Sequence, residues 1–226
     1  MKDADVPVLD PKSQAVVDRL QAKAGSQMGA LLRHYLPELP RLLTGRAIGF
    51  SGDMSFYDDK LLSIEPAQGE LLYLLARAKG ARCAVEFGTS FGVSTIYLAA
   101  AIRDAALGGR VIGTELAPGK VAAAKNNLAA AGLTAHVEIR EGDARSTLRD
   151  LAQPVDLLLL DGWPALAMEV LTIVEPHLAD GAIVVVDNVG QFAGDLRPVV
   201  ERLNSAADYR TSRLPLRGGT LVSIRA

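Results

Sequence analysis

Cys83-Ala84-Val85-Glu86-Phe87-Gly88-Thr89-Ser90-Phe91-Gly92-Val93-Ser94 is the stretch whose reading decides the fold. Its apolar run predicts a buried strand, a glycine-bracketed turn follows, and Val93 to Ala106 predicts a helix. Such a turn lies at the carboxyl end of a strand, where open α/β sheets bind ligands. Gly88 and Gly92 carry no Cβ and let the backbone approach a ligand closely. The helix after them offers unpaired N–H groups to an anionic group. Glu86 is an acid at the end of an otherwise apolar strand, where a charge needs a partner such as an ammonium. The G-x-x-x-G spacing is one glycine short of the dinucleotide fingerprint, so the turn alone leaves an ordinary strand–helix connection open.

Outward from this turn, strand and helix alternate without interruption. Arg110 to Thr114, His136 to Arg140, Val155 to Leu160 and Ala182 to Val186 predict strands. Pro118 to Ala131, Ala144 to Leu151 and Pro164 to Leu178 predict the helices between them. Continuous apolar runs such as Leu157-Leu158-Leu159-Leu160 imply a parallel sheet covered on both faces. A helix around Leu196 to Asn204 precedes two β-like runs, Tyr209 to Leu216 and Thr220 to Ile224, joined through Gly218-Gly219. That is a hairpin, so the sheet is expected to end in one antiparallel strand. Upstream, Glu65-Pro66 opens a helix that runs to Gly80. The first quarter lacks strand alternation: Pro11 to Ala24 and Met28 to Leu36 predict two helices, Pro37 and Pro40 break the pattern, and Thr44 to Asp59 is irregular. Residues 1–63 are therefore expected to form an N-terminal helical cap on the substrate side, and residues 64–226 the ligand-binding domain.

The 226 residues suffice for one sizeable core, and 49% apolar with 22% charged residues is an ordinary globular composition. A net charge of −2 without a Lys/Arg block gives nucleic-acid binding no electrostatic support. No window approaches the ~20 apolar residues of a membrane span, and the charged N-terminus lacks an apolar signal region. The single cysteine, Cys83, reads as a small buried apolar residue and suits a cytoplasmic location.

Every parallel strand ends in an acid: Glu86, Glu115, Asp143, Asp161 and Asp187 follow one another along the chain. Glu115 stands about 25 residues after the glycine turn, where a carboxylate suits a ribose diol. Asp143 either accepts from an adenine amino group or caps the following helix.

With these residues in view, the chain resembles the class I S-adenosylmethionine-dependent methyltransferases, and among them the cation-dependent O-methyltransferases similar to catechol O-methyltransferase. Glu86 to Ser94, Glu115-Leu116, Asp161-Gly162-Trp163 and Asp187-Asn188-Val189 carry the resemblance, which covers Ile64 to the C-terminus. It implies a Rossmann-like, seven-stranded, mostly parallel sheet with an antiparallel last strand and helices on both faces. It also implies that Glu86 and Gly88, with Thr89 beside them, hold the methionine end of the cofactor and Ser94 its carboxylate. Glu115 would take the ribose, Leu116 with Asp143 and Ala144 the adenine, and Ile64 would lie in the covering loop. Asp161, Asp187 and Asn188 match the family's metal ligands, with Asp161 also beside the cofactor and Asn188 beside the acceptor. Oxygen ligands of that kind suit Mg²⁺. Trp163 either walls the substrate site or packs against the sheet.

Two departures stand out. Where catechol-type enzymes have a lysine after this tryptophan the chain has Pro164, and Leu214 to Gly219 offers no acid near the final hairpin. The general base is thus unassigned, with His34 in the cap as the candidate. The expected function is O-methylation of a small hydroxylated molecule, catechol-like or another vicinal oxygen donor, with a homodimer left open. The alternatives are a metal-independent small-molecule methyltransferase, a nicotinamide-dependent oxidoreductase and a non-catalytic cofactor-binding subunit.

Overall fold

The structure, a computed structural model, describes residues 6–36, 54–205 and 207–226. Its strands are β1 (Cys83–Phe87), β2 (Arg110–Glu115), β3 (Val137–Glu141), β4 (Val155–Leu160), β5 (Leu178–Val186), β6 (Tyr209–Leu214) and β7 (Thr220–Arg225). They form one seven-stranded sheet in the order β3-β2-β1-β4-β5-β7-β6. β1 to β5 pair in parallel, and β7 alone runs against both its neighbours, β5 and β6. The strand order reverses beside β1, between β1 and β4, which places a crevice at the carboxyl ends of those two strands.

Alternation along the strands divides the apolar residues into two cores, one on each face. Ala84, Val111, Leu157, Leu159 and Val185 share one face with α1 (Pro11–Tyr35), α2 (Pro66–Lys79), α3 (Val93–Ala105) and α4 (Pro118–Ala131). Cys83, Val85, Phe87, Leu158, Leu160, Val184 and Val186 face α5 (Ala144–Thr147), α6 (Ala167–Val174) and α7 (Arg197–Ser205). On the first face α2 and α3 come unusually close. A Cβ on Gly69 would lie 2.2 Å from the ring of Tyr97, so only glycine admits this approach.

The N-terminal segment differs from expectation. Pro11–Tyr35 is one continuous helix rather than two. Asp10 caps it by accepting from the backbone N–H of Lys12 and Ser13, and Val16, Val17 and Leu20 anchor it in the sheet's core. Gly25 and Gly29 occupy open positions along it, and a glycine there costs only about 1 kcal/mol of helix propensity. The expected proline break and the irregular stretch up to residue 53 lie outside the described residues.

The helix expected over Pro164 to Leu178 is divided into a 3-10 turn (Pro164–Leu166), α6 and a second 3-10 turn (Glu175–His177). Pro176 in that last turn has no N–H to continue the ladder. β5 starts at Leu178, ahead of the expected Ala182, because Gly181 (φ 64°) is absorbed into the strand where the pairing with β4 shifts register. Among the described residues no helix is long and apolar enough to cross a membrane.

Candidate active site

The carboxyl ends of β1, β2, β4 and β5 open on one cavity of about 1060 Å³. Glu86, in β1 one residue before the cavity-lining Phe87, is fully buried. Its Oε2 accepts from Thr89 Oγ1 (3.0 Å) and Thr95 Oγ1 (2.5 Å), while Oε1 has no hydrogen-bond partner. Burial pushes this carboxyl above its usual range, against the opposing pull of the Ser94, Thr95 and Thr89 hydroxyls. A half-satisfied buried carboxylate is the complement of an ammonium. Thr89 acts here through Glu86, and Ser94 is buried in the first turn of α3. Both line an inner recess together with Ile64, Gly88 and Asp161.

Gly88 has φ 101°, and a Cβ on it would lie 2.7 Å from Asp161 O and from Gly162. The missing side chain is therefore demanded by the neighbouring turn after β4 as well as by any ligand. Glu115, at the end of β2, is held by two backbone amides: Ser90 N–H donates to Oε2 (2.8 Å) and Ala117 N–H to Oε1 (2.9 Å). Each oxygen keeps capacity for one more hydrogen, as a diol requires. Leu116 projects into the cavity at 62% exposure, an apolar platform beside buried Ala144. Of the two readings left open for Asp143, the geometry realises the cap. Its Oδ1 accepts from Arg145 N (2.8 Å), and the Arg145 guanidinium grips both oxygens, at 2.7 Å to Oδ2. Those bonds hold its carboxyl below the usual range, and the residue lines the cavity.

Asp161 and Asp187 end adjacent strands. Burial, then Asp187, then Glu86 push the Asp161 carboxyl well above its usual range. Asp187 is pushed up by burial, against hydrogen bonds from the Asn188 backbone, Thr220 and Gln68. Its Oδ1 accepts from Gln68 Nε2 (2.6 Å) and Thr220 Oγ1 (3.1 Å), and its Oδ2 from Asn188 Nδ2 (3.1 Å). Asn188 adopts the left-handed conformation (φ 59°). Among the described residues no ion pair reaches either aspartate, and no cluster of three His, Cys, Asp or Glu side chains could hold a metal. Two carboxylates with an amide oxygen as third donor nevertheless fit a hard divalent cation.

Sequence reasoning missed the supports of this site. Gln68 holds Asp187 from α2 while its Oε1 accepts from Glu65 N (2.9 Å); a glutamine three residues past a helix start is the available signal. From α1, Gln21 bonds Ile64 O (2.7 Å) and Ser63 Oγ (3.1 Å), and Gln27 bonds Leu61 N (2.8 Å) and Asp59 O (3.2 Å). These two side chains tie down the segment whose residues Leu61 to Ile64 line the inner recess. Nothing in the spacing of two glutamines on a helix announces that role.

Trp163 meets both readings given for it: it lines the cavity, and its ring is partly packed on the second core and edge-on to Tyr57 (5.6 Å). His34 is not among the described residues that line the cavity. It sits exposed on the last turn of α1, stacked on Phe56 (3.7 Å) and edge-on to Tyr57, whose ring is in turn edge-on to Trp163.

A doubly wound sheet with one reversed strand and a row of acids at its ligand end defines a class I methyltransferase. A family model described as a methyltransferase domain matches residues 85–189. Catechol O-methyltransferase of Niastella koreensis is 31% identical over 69% of this chain and 71% of its own length. Catechol O-methyltransferase of Mycobacterium tuberculosis is 38% identical over 60% of each chain. The crystal structure of an O-methyltransferase from Streptomyces achromogenes involved in tomaymycin synthesis, in complex with SAM, superposes with TM-score 0.66 at 28% identity, covering 73% of this chain and 82% of that one. The chain belongs to the catechol O-methyltransferase-like family of S-adenosylmethionine-dependent O-methyltransferases. It is an enzyme of that class, and the nicotinamide-dependent and non-catalytic alternatives are set aside.

Proposed function

We propose that the enzyme transfers the methyl group of S-adenosylmethionine to one of two vicinal oxygens of a small catechol-like molecule, assisted by a divalent cation such as Mg²⁺. The observation that carries this reading is the Asp161–Asp187 pair, acids ending adjacent strands, where Asp187 helps to push the Asp161 carboxyl up and no described positive side chain pairs with either. Asp161, Asp187 and Asn188 would hold the cation. Bound there, it would supply a positive charge that templates the two oxygens and makes the reacting hydroxyl more acidic.

The protein's own residues do the rest. Glu86 offers its free oxygen to the ammonium of the cofactor, and Glu115 orients the ribose. Trp163, Pro164, Phe192 and Leu196 give the acceptor an apolar wall that excludes water from the transfer. With Pro164 in place of a lysine, and His34 not among the described lining residues, no side chain is assigned as the base, and a bound cation would supply the charge that favours proton loss. A phenol near pKa ~10 is within reach of that effect.

The test is turnover on a catechol with chelator and with restored Mg²⁺, together with melting temperature. Activity should collapse and recover, the cation should raise the melting temperature, and Asp187→Ala should abolish that rise. A second reading, metal-independent transfer, is favoured by the protein donors already on both Asp187 oxygens. Full activity in chelator on an acceptor with one isolated hydroxyl would select it.

A further inference from the structure

Lys120 is assigned no part in the site as described so far. It stands in the first turn of α4, five residues after Glu115, and is only 8% exposed. It lines the same cavity as Glu115, Ser90 and Leu116. Among the described residues its ammonium forms no hydrogen bond or ion pair; Glu115 first, then Asp58 and Asp59, act on it only through space. Asp59 is already engaged by Lys60. An ammonium so far removed from water is costly to leave without acceptors, and burial pushes Lys120 below the usual lysine range.

A second orphan shares the lining of this cavity. The hydroxyl of Ser90 is buried without a partner, while the Ser90 backbone N–H is the one that holds Glu115. The pocket around Glu115 thus presents a carboxylate that still needs hydrogens and two donors that still need acceptors. A vicinal diol answers both at once. Each hydroxyl has one hydrogen to give and lone pairs to receive, whereas an ammonium has three hydrogens and no lone pair.

We propose that Lys120 is a cofactor-binding residue whose ammonium donates to one ribose hydroxyl oxygen of S-adenosylmethionine as that hydroxyl donates to Glu115. The bridge rests on Glu115 being the ribose carboxylate. In it the diol lies between opposite charges, each of which strengthens the hydrogen bond to the other. In the free enzyme, by contrast, the lysine contributes a charge that burial disfavours.

The experiment is calorimetric titration of S-adenosylhomocysteine and its 2′-deoxy and 3′-deoxy analogues into wild type, Lys120→Met and Lys120→Gln, with melting temperatures of the ligand-free proteins. Lys120→Met should weaken S-adenosylhomocysteine binding by roughly ten- to hundredfold, the range for a hydrogen bond to a charged group. Its ligand-free melting temperature should equal or exceed that of wild type. On the analogue lacking the hydroxyl that lysine meets, the difference between wild type and Lys120→Met should vanish. Unchanged affinity for S-adenosylhomocysteine would overturn the proposal. So would an equal loss on both analogues, or a lower melting temperature in both variants, since each assigns Lys120 to the fold. Failure of wild type to bind S-adenosylhomocysteine at all would instead remove the cofactor reading beneath it.

Discussion

Glu86→Gln separates what the cofactor needs from what the fold needs. The substitution keeps the size and shape of a fully buried side chain and removes its charge. Its remaining carbonyl can still accept from Thr89 and Thr95, but an NH₂ replaces the unpartnered Oε1 and presents hydrogens to the ligand's ammonium. One charge-assisted hydrogen bond is lost, about 1.5–3 kcal/mol, so S-adenosylhomocysteine should bind roughly ten- to hundredfold more weakly. The fold should respond in the opposite sense. Because burial raises the Glu86 carboxyl, the native state favours its protonated form. Ionising it therefore costs stability as pH rises from the unfolded value toward the raised one, and glutamine escapes that cost. Ligand-free Glu86→Gln should melt no lower than wild type at neutral pH. Binding carries a matching proton signature. The ammonium favours the carboxylate, so wild-type affinity should rise with pH until Glu86 is ionised in the free enzyme, and part of that slope should be missing in the variant. Titration calorimetry in two buffers of different ionisation enthalpy measures both quantities. Affinity within twofold of wild type, or an undiminished pH slope, would refute the placement of the ammonium at Glu86.

Two further predictions concern the rest of the molecule. Asp10→Ala removes the cap of α1 and a partner of Arg103 (2.7 Å), and should cost about 1–2 kcal/mol, or roughly 2–8 °C in thermal melting. Burial pushes the Asp10 carboxyl up, but hydrogen bonds from Ser13 and Arg103 outweigh it and hold the carboxyl below 3.8; the deficit should thus be full at pH 7 and shrink only as pH falls below that value. A deficit that instead disappears between pH 7 and 5 would point to another group. Cys83 is buried and its thiol is pushed up to about 11, so a thiol reagent at pH 8 should leave native protein unmodified and add one label per chain after denaturation. Rapid labelling of the native enzyme would contradict the packing of β1.

The sheet was legible because its signals are local and repeated. Four consecutive leucines in β4 and the glycine turn between β6 and β7 can be read without knowing what they touch. The acids were legible because parallel strands bring their carboxyl ends to one side: Glu115, Asp161 and Asp187 line one cavity, and Glu86 lies close enough to act on Asp161 through space. What escaped were residues whose role depends on a partner far along the chain. Gln68 meets Asp187 across 119 positions, and Gln21 meets Ile64 across 43. An amide on a helix carries no period or spacing that foretells such a contact. The surroundings of His34 were hidden in the same way: a histidine in the cap suggested a base, and packing shows its ring stacked on Phe56 and edge-on to Tyr57. Asp143 marks the middle case, where a cap and a ligand contact have the same sequence; the cap is formed, with Arg145 on the carboxylate, and the residue also lines the cavity.

The approach of Gly69 to Tyr97 has a consequence well beyond the core. The residue before Gly69 is Gln68, whose amide steadies Asp187 at 2.6 Å, and α2 carries both. The height at which α2 rides over α3 is set by an aromatic ring pressed against a missing methyl group. A charged centre at the sheet's edge therefore takes its dimensions from a contact that contains no polar atom. Drift at that interior position would detune the enzyme without altering a single residue of its active site.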